Sequence, residues 1–401
     1  MLGVTGGIAA YKSVQVARDL TRLGADVDVV LTRGAREFVA PLSFEGVTGR
    51  PALTELFSAE GAALHVRLGG EADVVCVAPA TADFLARAAH GRADDLICTT
   101  LLATRAPVVL CPAMNDRMYA HPQVQRNIAH LRDQLGYLVA GPAEGPLAVG
   151  EGEGPGRMLE PRQIEEAIGR ALGSTEAFVG RHVLVTAGPT REPIDPVRYV
   201  GNRSSGKMGY AIAEAAWRRG ADVTLVSGPS TLGPPYGVEL VSVETAAEMH
   251  QAVAERISDA DVSIFAAAVS DFRPAEAVRR KVKRSETGND VTISLVANPD
   301  VALDTRLLRK PRAVSVGFAL ETHDLLQNAA AKLEQKGFDL VVANAAGEEG
   351  AGFGGTTNRV TLLGRDRAHE ELPLLPKDEV AEELLDRVAT IMCDGRSGME
   401  S

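Results

Sequence analysis

Short, nearly continuous apolar runs alternate along this chain with longer segments whose apolar residues recur every three or four positions. The first part carries LGV (2–4), the end of RLGADVDVVLT (22–32), ADVVCVAPA (72–80) and APVVLCPA (106–113). The second carries HVLVT (182–186), the end of RRGADVTLVSG (218–228), DVSIFAAAV (261–269), AVSVGFAL (313–320) and FDLVVANA (338–345). Runs that are apolar throughout, rather than at every second residue, fit strands covered on both faces, and the helical segments between them supply the covers. The pattern nearly repeats. RLGADVDVVLT and RRGADVTLVSG each follow an Ala-rich helical segment, which itself follows a strand and a Gly-containing turn. The expected fold is α/β, with two doubly wound, Rossmann-like domains.

The boundary falls near GSTEAFVG (173–180), a small, polar stretch between a helix with Ile164, Ile168 and Leu172 on one face and a fresh strand. This predicts a domain over 1–172, a linker over 173–180 and a second domain over 181–393. DEVAEELLDRVATIM (378–392) places Val380, Leu384, Val388 and Ile391 on one helical face, and 394–401 is expected to be a disordered tail.

The 401 residues suit two cores better than one, and 45% apolar with 24% charged residues is ordinary for a globular chain. A net charge of −11 disfavours a general nucleic-acid or anionic-membrane binder, while leaving local basic pockets open. No apolar run reaches the roughly 18 residues of a membrane span. No basic region precedes the apolar start, so no signal peptide is expected. Cys76, Cys98, Cys111 and Cys393 form no CxxC pair, which fits buried thiols in a reducing cytoplasm. Only eight lysines accompany the arginines, at 12, 207, 281, 283, 310, 332, 336 and 377. A retained lysine marks either a need for a compact ammonium or chance.

VTGGIAAYKS lies between the first strand and its helix, where adjacent glycines turn backbone N–H groups toward an anion, or simply make a tight turn. It is not GxGxxG, and the second strand ends in Thr32 where a dinucleotide fold carries an acid. That favours a mononucleotide such as FMN. His65 precedes the strand leading to APATADF, and Asn115 in PAMNDRMY follows a parallel strand, as a ligand amide or in an Asx turn. In the second half, GNRSSGKMG (201–209) matches a Walker A loop except that Met208 replaces its hydroxyl residue. About fourteen residues separate it from its strand, unlike a true Walker loop. Gly188 ends that strand, Asp271 follows another, and RRKVKR (279–284) is a basic cluster. Lys332 and Lys336 share a helical face, able to clamp a polyphosphate or simply solvated.

These motifs resemble a known family. VTGGIAAYKS, APATADFLARAAHGRADDL and PAMNDRMY are similar to flavin-dependent cysteine decarboxylases with a flavodoxin-like fold. With the second half, the chain resembles the bifunctional coenzyme A biosynthesis flavoproteins, in which phosphopantothenoylcysteine decarboxylase is fused to phosphopantothenate–cysteine ligase. The resemblance covers nearly the whole chain.

For the first half it implies FMN lined by Gly6, Gly7, Thr32, Ala80 and Thr81. It implies His65 as a base in oxidation of the substrate thiol side, Asn115 on the substrate carboxylate, and Arg157 and Met158 in a substrate flap. The family's flap reads Ala-Cys-Gly-x-x-Gly-x-Gly-Arg-Met, its cysteine donating a proton in the closing reduction. Here AVGEGEGPGRM (148–158) puts Val149 or Gly150 at that place. Glu151 and Glu153 are the nearby replacement candidates. Only Met1 to Val4 precede the first turn, and an N-terminal extension is expected to be missing.

For the second half the resemblance implies a CTP-using ligase proceeding through an acyl-cytidylate, with magnesium on the triphosphate and no protein-held metal. CTP contacts fall on Gly188, Ser204, Gly206, Gly209, Ala267, Asp271, Lys281, Asn298, Pro299, Asp300, Phe318, Lys332, Lys336 and Asn344. Asn202, Ala267, Ala268 and Asp271 face the acid substrate, and Asn202 serves conversion of the acyl-cytidylate. Arg198 reaches in from a neighbouring subunit. Small-molecule substrates are the implied partners, with no nucleic acid or membrane, in a homo-oligomer of trimeric flavin and dimeric ligase domains that together make a dodecamer. Two other readings remain: a ligase with an impaired flavin half, and a flavoprotein acting as a regulatory binding module.

Overall fold

The computed structural model describes residues 1–57, 63–147, 150, 152–282, 291–321, 323–345 and 355–397, with the backbone alone over 394–397. It divides into two compact units, Met1–Gly173 and Ser174–Ser401.

In the first unit, β1 (Leu2–Val4), β2 (Val29–Leu31), β3 (Val75–Ala80), β4 (Val108–Pro112) and β5 (Leu138–Val139) form one sheet in the order β2-β1-β3-β4-β5, every pair parallel. This is the flavodoxin-like order, whose direction of winding reverses between β1 and β3 and leaves a crevice at their carboxyl ends. All six side chains of β3 are buried, as its unbroken apolar run requires. An antiparallel hairpin of β6 (Ala143–Pro146) and β7 (Glu153–Arg157) follows the sheet. His65 sits in the first turn of a helix, Leu64–Glu71, rather than in a lead-in to β3.

The second unit contains β8 (His182–Ala187), β9 (Arg191–Pro193), β10 (Tyr199–Gly201), β11 (Asp222–Ser227), β12 (Glu239–Ser242), β13 (Val262–Phe265), β14 (Phe272–Pro274), β15 (Leu295–Ala297), β16 (Val314–Glu321), β17 (Leu340–Ala345), β18 (Thr357–Asn358), β19 (Thr361–Gly364), β20 (His369–Glu371) and β21 (Leu375–Pro376). Its main sheet runs β12-β11-β8-β13-β16-β17-β19-β20. The first six strands are parallel, and β19 and β20 extend the edge antiparallel. The winding reverses between β8 and β13, so the second crevice opens there. Three antiparallel pairs, β9–β10, β14–β15 and β18–β21, stand apart from the main sheet.

Two expectations need correction. The segment read as a polar linker buries Phe178 completely, with the Arg219 guanidinium 5.9 Å from its ring, so it belongs to the second unit. One large apolar side chain outweighs the small polar residues around it. The closing helix spans Lys377–Ser397, so the first four residues of the presumed tail are helical and 398–401 lie outside the described residues. Val380, Leu384 and Val388 of this helix are fully buried, and Glu382 ties it to Arg218 and Arg219 at 2.8 Å each. A helix anchored so well propagates through the tolerable Gly395.

Gly317 on β16 has no room for a side chain, because a Cβ there would strike the ring of Phe338. Gly317→Ala is therefore expected to destabilise the second unit by about 1–3 kcal/mol, through overpacking. Urea denaturation followed by tryptophan fluorescence of Trp217 measures it, and an unchanged midpoint would show that the ring yields freely.

Candidate active sites

In the first unit, a cavity of about 760 Å3 opens at the carboxyl ends of β1 and β3, within the range of small-molecule sites. Its walls are laced by hydroxyls. Thr5, directly after β1, donates to the Pro79 carbonyl at 2.7 Å and accepts from the Thr81 N–H at 3.2 Å. Ser13 donates to the Ala78 carbonyl at 2.6 Å. Thr32 accepts from the Ala35 N–H at 3.2 Å, and Thr81 caps the helix Ala82–Ala89. A Cβ on Gly6 would lie 2.8 Å from the Gly34 backbone, so the turns after β1 and β2 approach without side chains between them.

Asn115 caps the short helix Asp116–Ala120, its Oδ1 accepting from the Arg117 N–H at 3.0 Å. The Asx-type turn and a ligand role are therefore compatible: one end of the amide fixes the side chain at the cavity rim. The flap hairpin docks beside it, the Met114 N–H donating to the Gly156 carbonyl at 3.0 Å. A side chain on Gly156 would collide with the Met114 carbonyl.

Gly6, Gly7, Thr32, Thr81, Asn115, Arg157 and Met158 all line this one cavity. Ala80 lies fully buried beneath it. His65 is not among the lining residues, and its Nδ1 is buried without a partner among the described residues. Val149 and Glu151 lie outside the described residues, whereas Gly150 and Glu153 are exposed. Sequence reasoning assigned no role to Lys12. Its ammonium, 7% exposed, donates to the Met158 carbonyl at 3.2 Å and to Glu160 at 3.0 Å, fastening the base of the flap to the first helix. The scarcity of lysines was the available signal. Asp94, Asp95 and Cys98 cluster nearby, but Arg87 already pairs with both carboxylates.

In the second unit the Walker-like segment forms a tight cradle at the end of β8. Gly188 has φ +74°, and a Cβ there would lie 2.9 Å from the Gly228 carbonyl oxygen. Gly206, at φ +78°, caps the helix Lys207–Arg218, and its absent Cβ would sit 3.3 Å from the Gly188 nitrogen. Both conformations disfavour any residue with a side chain. Gly209 lets the helix close on Ala187, whose Cβ would be 2.6 Å from its own. Ser204 accepts from the Gly206 N–H at 3.2 Å.

Beyond β13, the Ala268 N–H donates to the Gly188 carbonyl at 2.9 Å and the Ala267 N–H to the Thr186 hydroxyl at 3.2 Å. Asn202 donates from Nδ2 to the Val269 carbonyl at 2.8 Å, bringing it to these residues. Asn298 is anchored by its backbone N–H to the Asp271 carbonyl and by Nδ2 to the Ser270 carbonyl, each at 2.8 Å, while the Asp271 side chain is exposed.

Lys332 and Lys336 are both engaged. The Lys332 ammonium donates to the Phe318 carbonyl at 2.6 Å, and Lys336 pairs with Asp300 at 2.8 Å. Burial first, and Lys336 second, push the Lys332 ammonium below its ordinary range. Burial opposes the charge of Asp300, but Lys336 and the Leu303 and Ala302 N–H groups hold its carboxyl below the usual range. Pro299 and Asn344 are half-buried in the same unit, and Lys281 is exposed. Lys283 lies outside the described residues.

Asp195 was also missed. Its fully buried carboxylate accepts from the Val197 and Arg198 N–H groups at 2.8 and 2.9 Å and from the Val282 N–H at 3.2 Å. It also lies 3.5 Å from the Arg198 guanidinium. One side chain thus joins the loop carrying Arg198 to the segment carrying Lys281.

Comparison with known proteins follows this division. The family model "Flavoprotein" matches residues 1–173, and "DNA/pantothenate metabolism flavoprotein C-terminal domain" matches residues 178–392. The chain is 44% identical over 394 residues to the coenzyme A biosynthesis bifunctional protein CoaBC of Vibrio vulnificus YJ016, covering 98% of this chain and 97% of that one. It is 44% identical to the Escherichia coli K12 protein of the same name, with 97% and 96% covered, and 45% identical to that of Mycobacterium bovis, with 98% and 96% covered. The chain belongs to the CoaBC family. It is a bifunctional enzyme of coenzyme A biosynthesis, with a decarboxylase in its flavoprotein half and a ligase in its second half. Among the described residues, no helix of this CoaBC family member is long and apolar enough to cross a membrane.

Asp195 makes a pH prediction. Burial disfavours its charge, but the three backbone donors and Arg198 outweigh burial and hold its carboxyl below the usual range. A lowered folded pKa stabilises above the unfolded value, about 4, and that contribution is lost as pH falls through the folded one. Urea midpoints measured across acid pH should fall less steeply for Asp195→Asn than for the unsubstituted chain. Parallel acid limbs would show that Asp195 carries none of the dependence.

Proposed function

We propose that this chain joins 4'-phosphopantothenate to cysteine using CTP, then decarboxylates phosphopantothenoylcysteine to 4'-phosphopantetheine using FMN. The observation that supports this reading is that Gly6, Gly7, Thr32, Thr81, Asn115, Arg157 and Met158 line one cavity in the first unit, while Gly188, Gly206, Ala267 and Ala268 meet beyond β8 and β13 in the second.

In the ligase half the acid's carboxylate attacks the α-phosphorus of CTP, forming a P–O bond as pyrophosphate departs. The amine of cysteine then attacks the acyl carbon, loses a proton and releases CMP. Charge grows on phosphate oxygens in the first step and on the acyl oxygen in the second. N–H groups at the start of the helix Lys207–Arg218 meet the former, with Lys281 on the triphosphate, and Asn202 faces the acyl group. Lys332, Lys336, Phe318 and Asn344 hold the nucleotide from the ends of β16 and β17 and the adjoining helix, and magnesium arrives with the triphosphate.

The cavity of the first unit fits FMN, since its glycine turns leave room for a phosphate and its hydroxyl-bearing rim suits ribityl and ring edges. Bound FMN supplies two-electron redox chemistry at the thiol side of the substrate. Asn115 orients the substrate carboxylate, Arg157 and Met158 belong to the flap over it, and His65 takes the proton. In a trimer of flavin domains His65, which does not line the cavity of its own chain, would serve that of an adjacent copy. Arg198 likewise serves a neighbouring ligase domain, so that dimers and trimers build a dodecamer in the cytoplasm.

Full-length protein given 4'-phosphopantothenate, cysteine, CTP and magnesium should yield 4'-phosphopantetheine by mass spectrometry. Accumulated phosphopantothenoylcysteine instead would favour the second reading, a ligase with a slowed reductive step, which the absent flap cysteine motivates. Failure to condense the acid with cysteine at all would overturn the proposal. Asn202→Asp should accumulate the acyl-cytidylate, and normal amide formation by that variant would remove its role.

A further inference from the structure

The β9–β10 ribbon and the Pro229–Thr231 turn after β11 enclose an open cavity of about 520 Å3. Two arginines line it, Arg191 on β9 and Arg203 just past β10. The Arg191 guanidinium lies over the Tyr199 ring, 4.8 Å from its centre, and Arg203 is exposed. Among the described residues neither guanidinium meets a carboxylate. Arg273, Arg306 and Arg309 of the same unit meet none either, but each donates to a carbonyl or hydroxyl oxygen. Elsewhere in the same unit Arg181 pairs with Asp261, Arg219 with Glu382, Arg365 with Asp339 and Arg387 with Glu370. Among the described residues the rest of the lining includes the hydroxyls of Ser204, Ser230 and Thr231, and no acidic side chain.

A cavity whose described lining holds two guanidinium groups that meet no carboxylate, side-chain hydroxyls and no acid is complementary to a dianion. The planar fork of arginine matches two oxygens of one phosphate. Stacking on Tyr199 orients Arg191 without consuming its N–H donors. We propose that Arg191 and Arg203 form a phosphate subsite of the ligase half. The inference rests on the ligase reading, in which both large substrates carry phosphate: the acid its terminal monoester, CTP the end of its triphosphate. Asn202 lines the same cavity, so its occupant lies beside the residue proposed to face the acyl group.

The test uses full-length protein in CTP-dependent amide formation, with KM measured for CTP, for 4'-phosphopantothenate and for unphosphorylated pantothenate. Arg191→Gln and Arg203→Gln should each raise one KM about tenfold or more, the loss of a charged hydrogen bond. Arg191→Lys should restore part of it. If the acid's phosphate occupies the subsite, KM rises for 4'-phosphopantothenate while those for pantothenate and CTP hold. If the triphosphate does, KM for CTP rises and the acids are unaffected. Values within twofold for both CTP and 4'-phosphopantothenate would overturn the subsite, as would equal losses for phosphorylated and unphosphorylated acid. Arg203 is exposed, so its variant answers even if Arg191→Gln fails to fold. An unsubstituted chain that forms no amide sinks the ligase reading and this subsite with it.

Discussion

Close backbone approach at the carboxyl ends of the strands is the constraint on which both sites depend. In the ligase unit Gly188 and Gly228 leave no room for a Cβ, Gly206 is held by its φ of +78° with the Gly188 nitrogen 3.3 Å from where a Cβ would sit, and Gly209 brings the following helix onto Ala187. In the flavoprotein unit Gly6 and Gly34 meet in the same way. A methyl group on Gly6, Gly188, Gly209 or Gly228 would push facing backbone or side-chain atoms apart and shift the helix start that lines the crevice. The anion-binding property of a helix start therefore rests on packing several residues away from the anion.

Hydroxyls and buried charges then fix the loops that glycine leaves free. Thr5 and Thr81 lock the turns after β1 and β3, and Thr186 and Thr190 do the same after β8, the latter accepting from the Ser270 N–H at 2.9 Å. A threonine at a strand end spans to the neighbouring strand's loop without burying an unpaired charge. Where a longer reach is needed the chain uses a charge with several partners, Lys12 beneath the flap and Asp195 behind the β9–β10 ribbon. Each would be costly if one partner were lost, because the charge would stay buried.

Much of this architecture was legible in the residues. Nearly continuous apolar runs marked the strands because a parallel strand is covered on both faces, and the repeated Gly-Ala-Asp-Val segments marked two windings. What stayed hidden depends on contacts distant in sequence. Phe178 looked like part of a linker, since nothing local predicts that Arg219 will meet its ring. The pairing of Lys336 with Asp300 spans 36 residues, so two lysines on one helical face read as a free clamp. Asp195 shows the same limit, its partner Val282 being 87 residues away. The glycine cradle was readable as a motif, whereas its reason, the contact between Gly188 and Gly228, was not.

The missing flap cysteine separates the shape of the flap from its chemistry. The hairpin is closed near its tip by the Leu147 N–H on the Gly152 carbonyl at 2.9 Å, and held at its base by Met114 with Gly156 and by Lys12 with Glu160. Arg157 also pairs with Glu160. None of these contacts involves the position where the family carries cysteine. These supports of the flap are in place without a cysteine, and under the proposed decarboxylase reading what the chain lacks is a proton donor. In the proposed mechanism oxidation and loss of the carboxyl group draw on other residues, so the substitution is expected to bear on the closing protonation, where a group of suitable acidity, water included, would have to stand in.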